Sequence, residues 1–580
     1  MHRSFEEQAQ NGVRREAVPD PRGGARRTLC ASEEHAQNGV RREAVPNPRG
    51  GARRTLCASE EHAQNGVRRE AVPNPCGGAR RTLCASEEHA QNGVRREAVP
   101  NPCGGARRTL CALALFFVSW PLALGVAWAA MPPDADRQLA REIYKEMIEI
   151  RSGYSTGSTT PVAEAVAARL RAAGFPDSDI FVGGASPRKA NLVVRYRSVR
   201  SSGAALKPIL LLAHTDVVEA NREDWSTDPF QFIEKDGYFY GRGTSDDKAQ
   251  AAVWIANLIR YKREGFKPER DIVVALTADE EGGGPYNGVI WLLKNRRASI
   301  DAELCLNEGG GGVMIGGRKI ANNIQVSEKS YADFKFEVHN RGGHSSVPLP
   351  DNAIYRLATA LERLSRFSFP LKTDEVTRAY FGEMAKVEDG PLKDDLMKLA
   401  DGSSEAAKDA MPRVASVSPR WNALLRTTCV PTELAGGHAL NALPQVAGAN
   451  VNCRIFPGDS VESVQKALRL AIGDDQVAIH VQGDVDVGPA SPLRQDVFKT
   501  VARLSDTMWP GVLTIPVMST GATDGRYLRI AGIPTYGVSG FFGDRDDVRA
   551  HGRDERMNVN SFYEGQGFLY QLVKDLSTGQ

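Results

Sequence analysis

The stretch Ile209-Leu-Leu-Leu-Ala-His214-Thr-Asp216 is a short, uninterrupted apolar run followed at once by an imidazole and a carboxylate. An apolar run this short reads as a strand covered on both faces, the kind that fills parallel sheets. Its polar residues then fall at the strand's carboxyl end, which is where open α/β sheets build their sites. The pattern recurs twice. Ile272-Val-Val-Ala-Leu-Thr277 runs into Asp279-Glu280-Glu281, and Glu303-Leu-Cys-Leu306 runs into Asn307-Glu308-Gly309. Three polar clusters are thereby predicted on one sheet rim.

Helical spacing of apolar residues over 136–150, 161–173, 248–263 and 289–295 alternates with these strands and with a further strand over 191–196. Strands alternating with helices predict an α/β domain with a mostly parallel, buried sheet. Taken singly, each cluster has an ordinary structural explanation. His214-x-Asp216 could be a hydrogen-bonded pair, Asp246-Asp247 turn chemistry, and Glu280-Glu281 a solvated helix start. Their coincidence on one rim, joined by the late His551, supplies instead the imidazoles and carboxylates of a two-metal hydrolytic centre.

Composition is compatible with that reading. The chain has 580 residues, more than one core usually spans, with a formal net charge of +2 and 25% charged residues. Nothing in this balance points to nucleic acid.

These residues together resemble the dinuclear zinc aminoacylase and carboxypeptidase family, which includes glutamate carboxypeptidase, carboxypeptidase S, carnosinase-type dipeptidases and succinyl-diaminopimelate desuccinylase. The resemblance rests on His214-Thr-Asp-Val-Val218, Trp225, Asp228-Pro-Phe230, Gly237, Gly241-Arg-Gly243, Asp246-Asp-Lys248, Asp279-Glu-Glu281, Asn307-Glu-Gly-Gly310, Thr523-Asp524 and His551, in that order from about Asp136 onward. It implies that Asp246 bridges two zinc ions, with Co2+ or Mn2+ as possible substitutes. His214 and Glu308 would complete one ion's ligand set, Glu281 and His551 the other's. Glu280 would be the general base, and Asp216 would accept the second N–H of His214 and fix its tautomer. The Asp246–Asp247 peptide is expected in the cis form.

The same resemblance divides the chain. Residues 132–326 and 488–580 would form the catalytic domain, and 327–487 an inserted α+β lid or dimerisation domain. Within the insert, strand patterns over 331–338, 446–454 and 477–481 alternate with helical spacing over 352–366 and 460–472. Arg341-Gly-Gly-His344 matches a lid motif whose histidine stabilises an oxyanion, often from the partner subunit of a homodimer. Asn441-Ala-Leu-Pro444 and Arg454 match a pair that holds substrate polar groups, the arginine being suited to a free carboxylate. His339, His438 and His480 match nothing and read as structural. Glu219 stands where proline commonly follows Asp-Val-Val, and it could add charge near the entrance. Ala249 replaces a usual glycine, and 370–426 has no assignable counterpart.

The N-terminal part reads differently. A unit containing Ala-Ser-Glu-Glu-His-Ala-Gln-Asn-Gly-Val-Arg-Arg recurs through residues 1–106 at a spacing of 27, closed by Cys30, Cys57, Cys84 and Cys111. Each copy has too little apolar surface to offset chain entropy, so the extension reads as disordered or non-native. Residues 107–129 then show a basic flank, an apolar run and Ala127-Trp128-Ala129, the layout of a secretory signal peptide. A signal placed behind about a hundred residues suggests that the true start lies inside the last repeat. A membrane anchor carrying a repeat arm is the alternative, but Pro121 interrupts a span already at the short end. Cleavage near Ala129 would leave no stable membrane anchor and a periplasmic or extracellular protein. Three cysteines remain, Cys305, Cys429 and Cys453, which allow at most one bridge.

The function expected from these features is an exported dinuclear-metal amidohydrolase. It would cleave a peptide bond next to a free carboxylate, as a carboxypeptidase or dipeptidase, by metal-activated water with Glu280 as base. Deacylation of N-acyl amino acids is the alternative with the same chemistry. A non-catalytic binding protein on the same fold would require a missing ligand or base, and none is missing.

Overall fold

The computed structural model describes residues 131–199, 206–402 and 404–578; the repeats and the signal segment lie outside these residues. A ten-stranded sheet organises the described chain. Its order is Ile180–Gly184, Ala190–Tyr196, Ile272–Thr277, Ile209–His214, Leu304–Asn307, Thr535–Gly537, Arg318–Glu328, Gly311–Ile315 and Phe542–Asp544, with Leu513–Ser519 also paired to Arg318–Glu328. The four strands from Ile272–Thr277 to Thr535–Gly537 are parallel, as their unbroken apolar runs predict. Antiparallel pairs flank them: Ile180–Gly184 with Ala190–Tyr196 on one side, and Arg318–Glu328 with Gly311–Ile315 on the other.

Helix Lys248–Glu264 explains how the Asp246 loop is held. Ala249, Ala251, Ala252, Val253, Trp254, Ile255 and Ala256 are all buried, so this helix is enclosed on nearly every side. Ala249 in place of glycine costs no space there and favours the helix. The helix ends at Gly265, whose φ of 66° supplies the left-handed cap. Asp247 occupies the N-cap position without a side-chain capping hydrogen bond, so the positive pole of the helix lies beside the Asp246–Asp247 pair.

A second, four-stranded antiparallel sheet has the order Thr428–Gly436, Val446–Ile455, Ser330–His339 and Val477–Gln482. Alternate residues of Ser330–His339 are buried, and helices Ala353–Arg366 and Val461–Ile472 supply the opposing apolar face through Leu357, Leu364, Val464 and Leu468. Cys429 and Cys453 face each other in register on neighbouring strands and are disulfide-bonded, while Cys305 is free and buried.

The 370–426 stretch falls inside the span expected to be the lid, yet it packs elsewhere. It forms helices Glu375–Met384, Gly390–Asp401, Glu405–Val417 and Pro419–Leu424, and their Phe381, Leu399, Val414 and Trp421 join the core of the ten-stranded sheet. The covered face of the small sheet is already occupied by its own two helices, which leaves these apolar faces to the large sheet. Among the described residues no helix is long and apolar enough to cross a membrane.

Candidate active site

The parallel register sets the site. His214 lies level with Thr277, so Glu280 and Glu281 emerge beside it, and Glu308 follows the next strand over. His214 Nε2 is 2.9 Å from Asp246 Oδ1 and 3.8 Å from Glu308 Oε2. His551 Nε2 lies 3.2 Å from Asp246 Oδ2 and 2.9 Å from Glu281 Oε1. Asp246 therefore stands between the two imidazoles, one carboxylate oxygen toward each. The Asp246–Asp247 peptide is cis. Asp247, to which the sequence reading gave no ligand role of its own, adds a further carboxylate, since its ligand atom lies within 4.8 Å of those of His214 and Glu308.

Asp216 meets the second ring nitrogen of His214 through its backbone and not its carboxylate. The nearest acceptor for His214 Nδ1 is the backbone carbonyl of Asp216, at 3.0 Å, while the carboxylate oxygen is 3.7 Å away. A carbonyl can only accept, so Nδ1 carries the proton and Nε2 is turned toward Asp246 and Glu308. The Asp216 carboxylate instead accepts the backbone N–H groups of Glu280 at 3.2 Å and Glu281 at 3.1 Å. Asp216 thus meets the histidine through its carbonyl and the acidic pair through its carboxylate.

Two features escaped the sequence. Glu555, wholly buried, accepts the backbone N–H groups of Gly243, Ser245 and Asp246 at 3.0, 2.7 and 3.1 Å and pairs with Arg242 at 2.6 Å. Arg242 in turn donates to the backbone carbonyls of His551 and Gly552. Glu555 thus ties the His551 loop to the Asp246 loop, and only its place four residues beyond His551 could have drawn attention to it. The second is Arg526. It lines a cavity of about 700 Å³ together with Glu280, Glu281, His551, Arg454, Tyr331 and Tyr527. Arg454 lies over the Tyr331 ring at 4.7 Å and donates to Asn452, whereas Arg526 donates to the Tyr527 hydroxyl at 2.6 Å. Both guanidiniums donate to neutral groups, with the Asp333 carboxylate near Arg454 and those of Glu328 and Asp524 near Arg526. Burial and the neighbouring Arg526 together lower the pKa of Arg454.

Of the three residues expected to bind substrate, Arg454 alone shares that cavity. His344 and Asn441 lie together on an exposed ribbon, Gly343–His344 paired with Ala442–Leu443, where the Ser345 N–H donates to the Asn441 carbonyl at 3.0 Å. Glu219 is not a free charge at the entrance either. Its carboxylate accepts from the amides and hydroxyls of Ser155 and Thr156 at 2.7–2.9 Å. His339, exposed at the end of strand Ser330–His339, pairs with Glu337.

The electrostatics show a surplus of negative charge. Burial opposes protonation of His214, but Glu308, Asp246 and Asp216 outweigh it and raise its pKa well above the usual imidazole value. Hydrogen bonds to Asp246 and Glu281 push His551 up to about 10. Burial raises Glu280 and Glu308 far above ordinary carboxylates, and burial also brings Asp216 to about 6. The ion pairs of Asp246, Glu281 and Glu308 are all with His214 or His551, so the carboxylates draw on imidazole protons for neutralisation. Divalent cations would meet the same need, and oxygen and imidazole donors at these separations suit them.

Such a site belongs to the metal-dependent hydrolases. This chain is a member of peptidase family M20/M25/M40, whose sequence pattern matches residues 210–575. Human N-fatty-acyl-amino acid synthase/hydrolase PM20D1 is 29% identical over 403 residues, covering 66% of this chain and 77% of its own length. A probable carboxypeptidase S-like protein of Dictyostelium discoideum is 30% identical over 399 residues, covering 67% and 76%. The M20 family metallo-carboxypeptidase Sso-CP2 of Sulfolobus solfataricus shares the fold with a TM-score of 0.57 at 18% identity, over 75% of this chain and 98% of its own.

Proposed function

We propose that this chain is an exported amidohydrolase that cleaves an amide bond next to a free carboxylate and releases an amino acid. The observation that carries the reading is the shared cavity. Glu280 and Glu281 open into the same space as Arg454 and Arg526, so a carboxylate held by the guanidiniums brings its neighbouring amide to the acidic pair.

His214 and Glu308 would hold one cation, Glu281 and His551 the other, and Asp246 both; zinc suits this donor set, with Co2+ or Mn2+ as alternatives. When bound, the cations acidify water and polarise the scissile carbonyl. Glu280 takes the proton from the attacking water at its carboxylate and passes it to the departing nitrogen. Asp216 keeps Glu280 and Glu281 in place through their amides. Arg454 and Arg526 orient the substrate carboxylate. His344 and Asn441, exposed on their ribbon, would serve the partner site of a homodimer formed through the small sheet. The Cys429–Cys453 disulfide supports an oxidising compartment, in line with a signal segment at 107–129.

The released acid distinguishes two forms of this activity, a dipeptidase or carboxypeptidase and an N-acyl amino acid deacylase. The zinc-loaded protein should hydrolyse members of a panel of dipeptides and N-acyl amino acids, and carboxamide analogues should be poor substrates. Equal rates on carboxylates and carboxamides would overturn the role given to the arginines. Mixing His344→Ala subunits with Glu280→Gln subunits should restore turnover above either parent alone; no restoration would exclude a contribution across the dimer.

A further inference from the structure

Resting on the hydrolase reading above, we propose that Lys189 is a positioning residue for that reaction: its ion pair with Asp279 fixes the turn that carries Glu280, and so aims the base.

Glu280 depends on such support more than its neighbour does. Glu281 is paired with His551 at 2.9 Å, whereas the Glu280 side chain has no hydrogen bond or ion pair among the described residues. Its direction is therefore set by the backbone that carries it. The Asp216 carboxylate holds the amides of Glu280 and Glu281, which fixes where the turn sits. How the chain enters the turn is decided one residue earlier, at Asp279, which has a φ of 61°. A residue with a Cβ adopts this left-handed conformation only at a cost, so its surroundings must enforce it.

Lys189 supplies the enforcement. Its Nζ lies 2.5 Å from Asp279 Oδ1, with both side chains buried. The same ammonium donates to the backbone carbonyl of Tyr154. Tyr154 is itself anchored, its N–H donating to the Val217 carbonyl at 3.0 Å and the amides of its neighbours Ser155 and Thr156 to Glu219. Lys189 thus ties the acidic turn to the segment that follows His214 and Asp216. The turn closes tightly on the pair: a Cβ on Gly282 would fall 2.7 Å from Asp279 Oδ1, so the carboxylate packs directly on backbone. The Asn287 amide also reaches this turn, donating to the Asp279 carbonyl at 3.5 Å and to the Asp524 carboxylate at 2.6 Å.

Without the ammonium, an unpaired carboxylate would remain in this enclosed space, and rotation of Asp279 away from its left-handed φ would relieve it. Glu280 would swing with the turn, and a misplacement of about 1 Å can lower a rate by as much as 10²-fold. Glu281 has His551 to hold it, so metal binding is spared.

The test uses the zinc-loaded full chain and whichever dipeptide or N-acyl amino acid the parent turns over. Asp279→Asn keeps an acceptor for Lys189 and tolerates a left-handed φ, so it should retain most of the parental kcat. Lys189→Met strands the Asp279 carboxylate and should lower both the melting temperature and kcat. Combining Lys189→Met with Asp279→Asn strands no charge, so the melting temperature should recover toward that of the parent while kcat stays about tenfold to a hundredfold low, with KM and bound zinc unchanged. Parental kcat in this double variant, or a fall in kcat that follows loss of zinc, overturns the positioning role and leaves the hydrolase reading intact. No turnover of any dipeptide or N-acyl amino acid by the parent with its zinc bound overturns the hydrolase reading, and the positioning role with it.

Discussion

The Glu555 carboxylate accepts the backbone N–H of Asp246 at 3.1 Å while it pairs with Arg242 at 2.6 Å, so one buried group sets the position of the carboxylate that stands between both imidazoles. Removing it strands the Arg242 guanidinium and frees three amides of the Asp246 loop. Breaking a buried pair in this way costs about 3–5 kcal/mol. Glu555→Ala should therefore melt well below the parent, and the milder Glu555→Gln should bind less than the parent's complement of metal. Calorimetry and metal analysis read the two effects; a Glu555→Gln protein with parental metal content would remove Glu555 from the support of the site.

Neighbouring glutamates should fail in different ways. Glu280→Gln should retain both metals yet lose about 10²–10⁴ in kcat, because only proton transfer is removed. Glu281→Ala should lose a metal. Equal metal loss in the two variants would refute the division between base and ligand.

Arg526 provides a test that does not touch the cluster. A hydrogen bond to a charged group contributes about 1.5–3 kcal/mol, so Arg526→Gln should raise KM for carboxylate substrates by roughly tenfold to a hundredfold with a smaller change in kcat. Weak carboxamide substrates should change little. A loss of equal size on both would show that Arg526 supports the fold and not the carboxylate.

Glu219 carries a pH signature. Burial pushes its carboxyl up, but the Ser155 and Thr156 donors outweigh burial and hold it below the ordinary value near 4.5. A depressed folded-state pKa contributes stability that is present above 4.5 and lost as pH falls through the lower folded value. The melting difference between the parent and Glu219→Gln should thus be constant from pH 5 upward and shrink in more acidic buffer. A difference that grows on acidification would contradict the hydrogen-bonded loop.

Much of this was legible in the chain because its strongest signals are periodic. Ile272–Thr277 was read with its observed bounds, and Ile209–His214, Lys248–Glu264 and Val461–Ile472 to within a residue or so, since apolar runs and helical spacing directly reflect burial. The rim that gathers His214, Glu281 and Glu308 followed from parallel strands alone. Contacts between distant segments were not legible. Glu555 and Asp246 are 309 residues apart, and Arg526 meets Arg454 only because two strands and a helix turn them into one cavity. The 370–426 helices carry ordinary amphipathic patterns that specify an apolar partner without saying which sheet provides it. Asp216 shows a finer limit: its spacing from His214 was informative, but whether the backbone carbonyl or the carboxylate would meet the imidazole depended on the turn.

Metal reconstitution addresses the central claim most directly. The chain stripped with a chelator should be inactive on an N-acyl amino acid, and titrated zinc should restore turnover as two equivalents bind, with Glu280→Gln binding the same two and remaining inactive. Full turnover by the stripped protein, or two tightly bound cations with no turnover of any amide substrate, would contradict a metal-dependent amidohydrolase with Glu280 as its base.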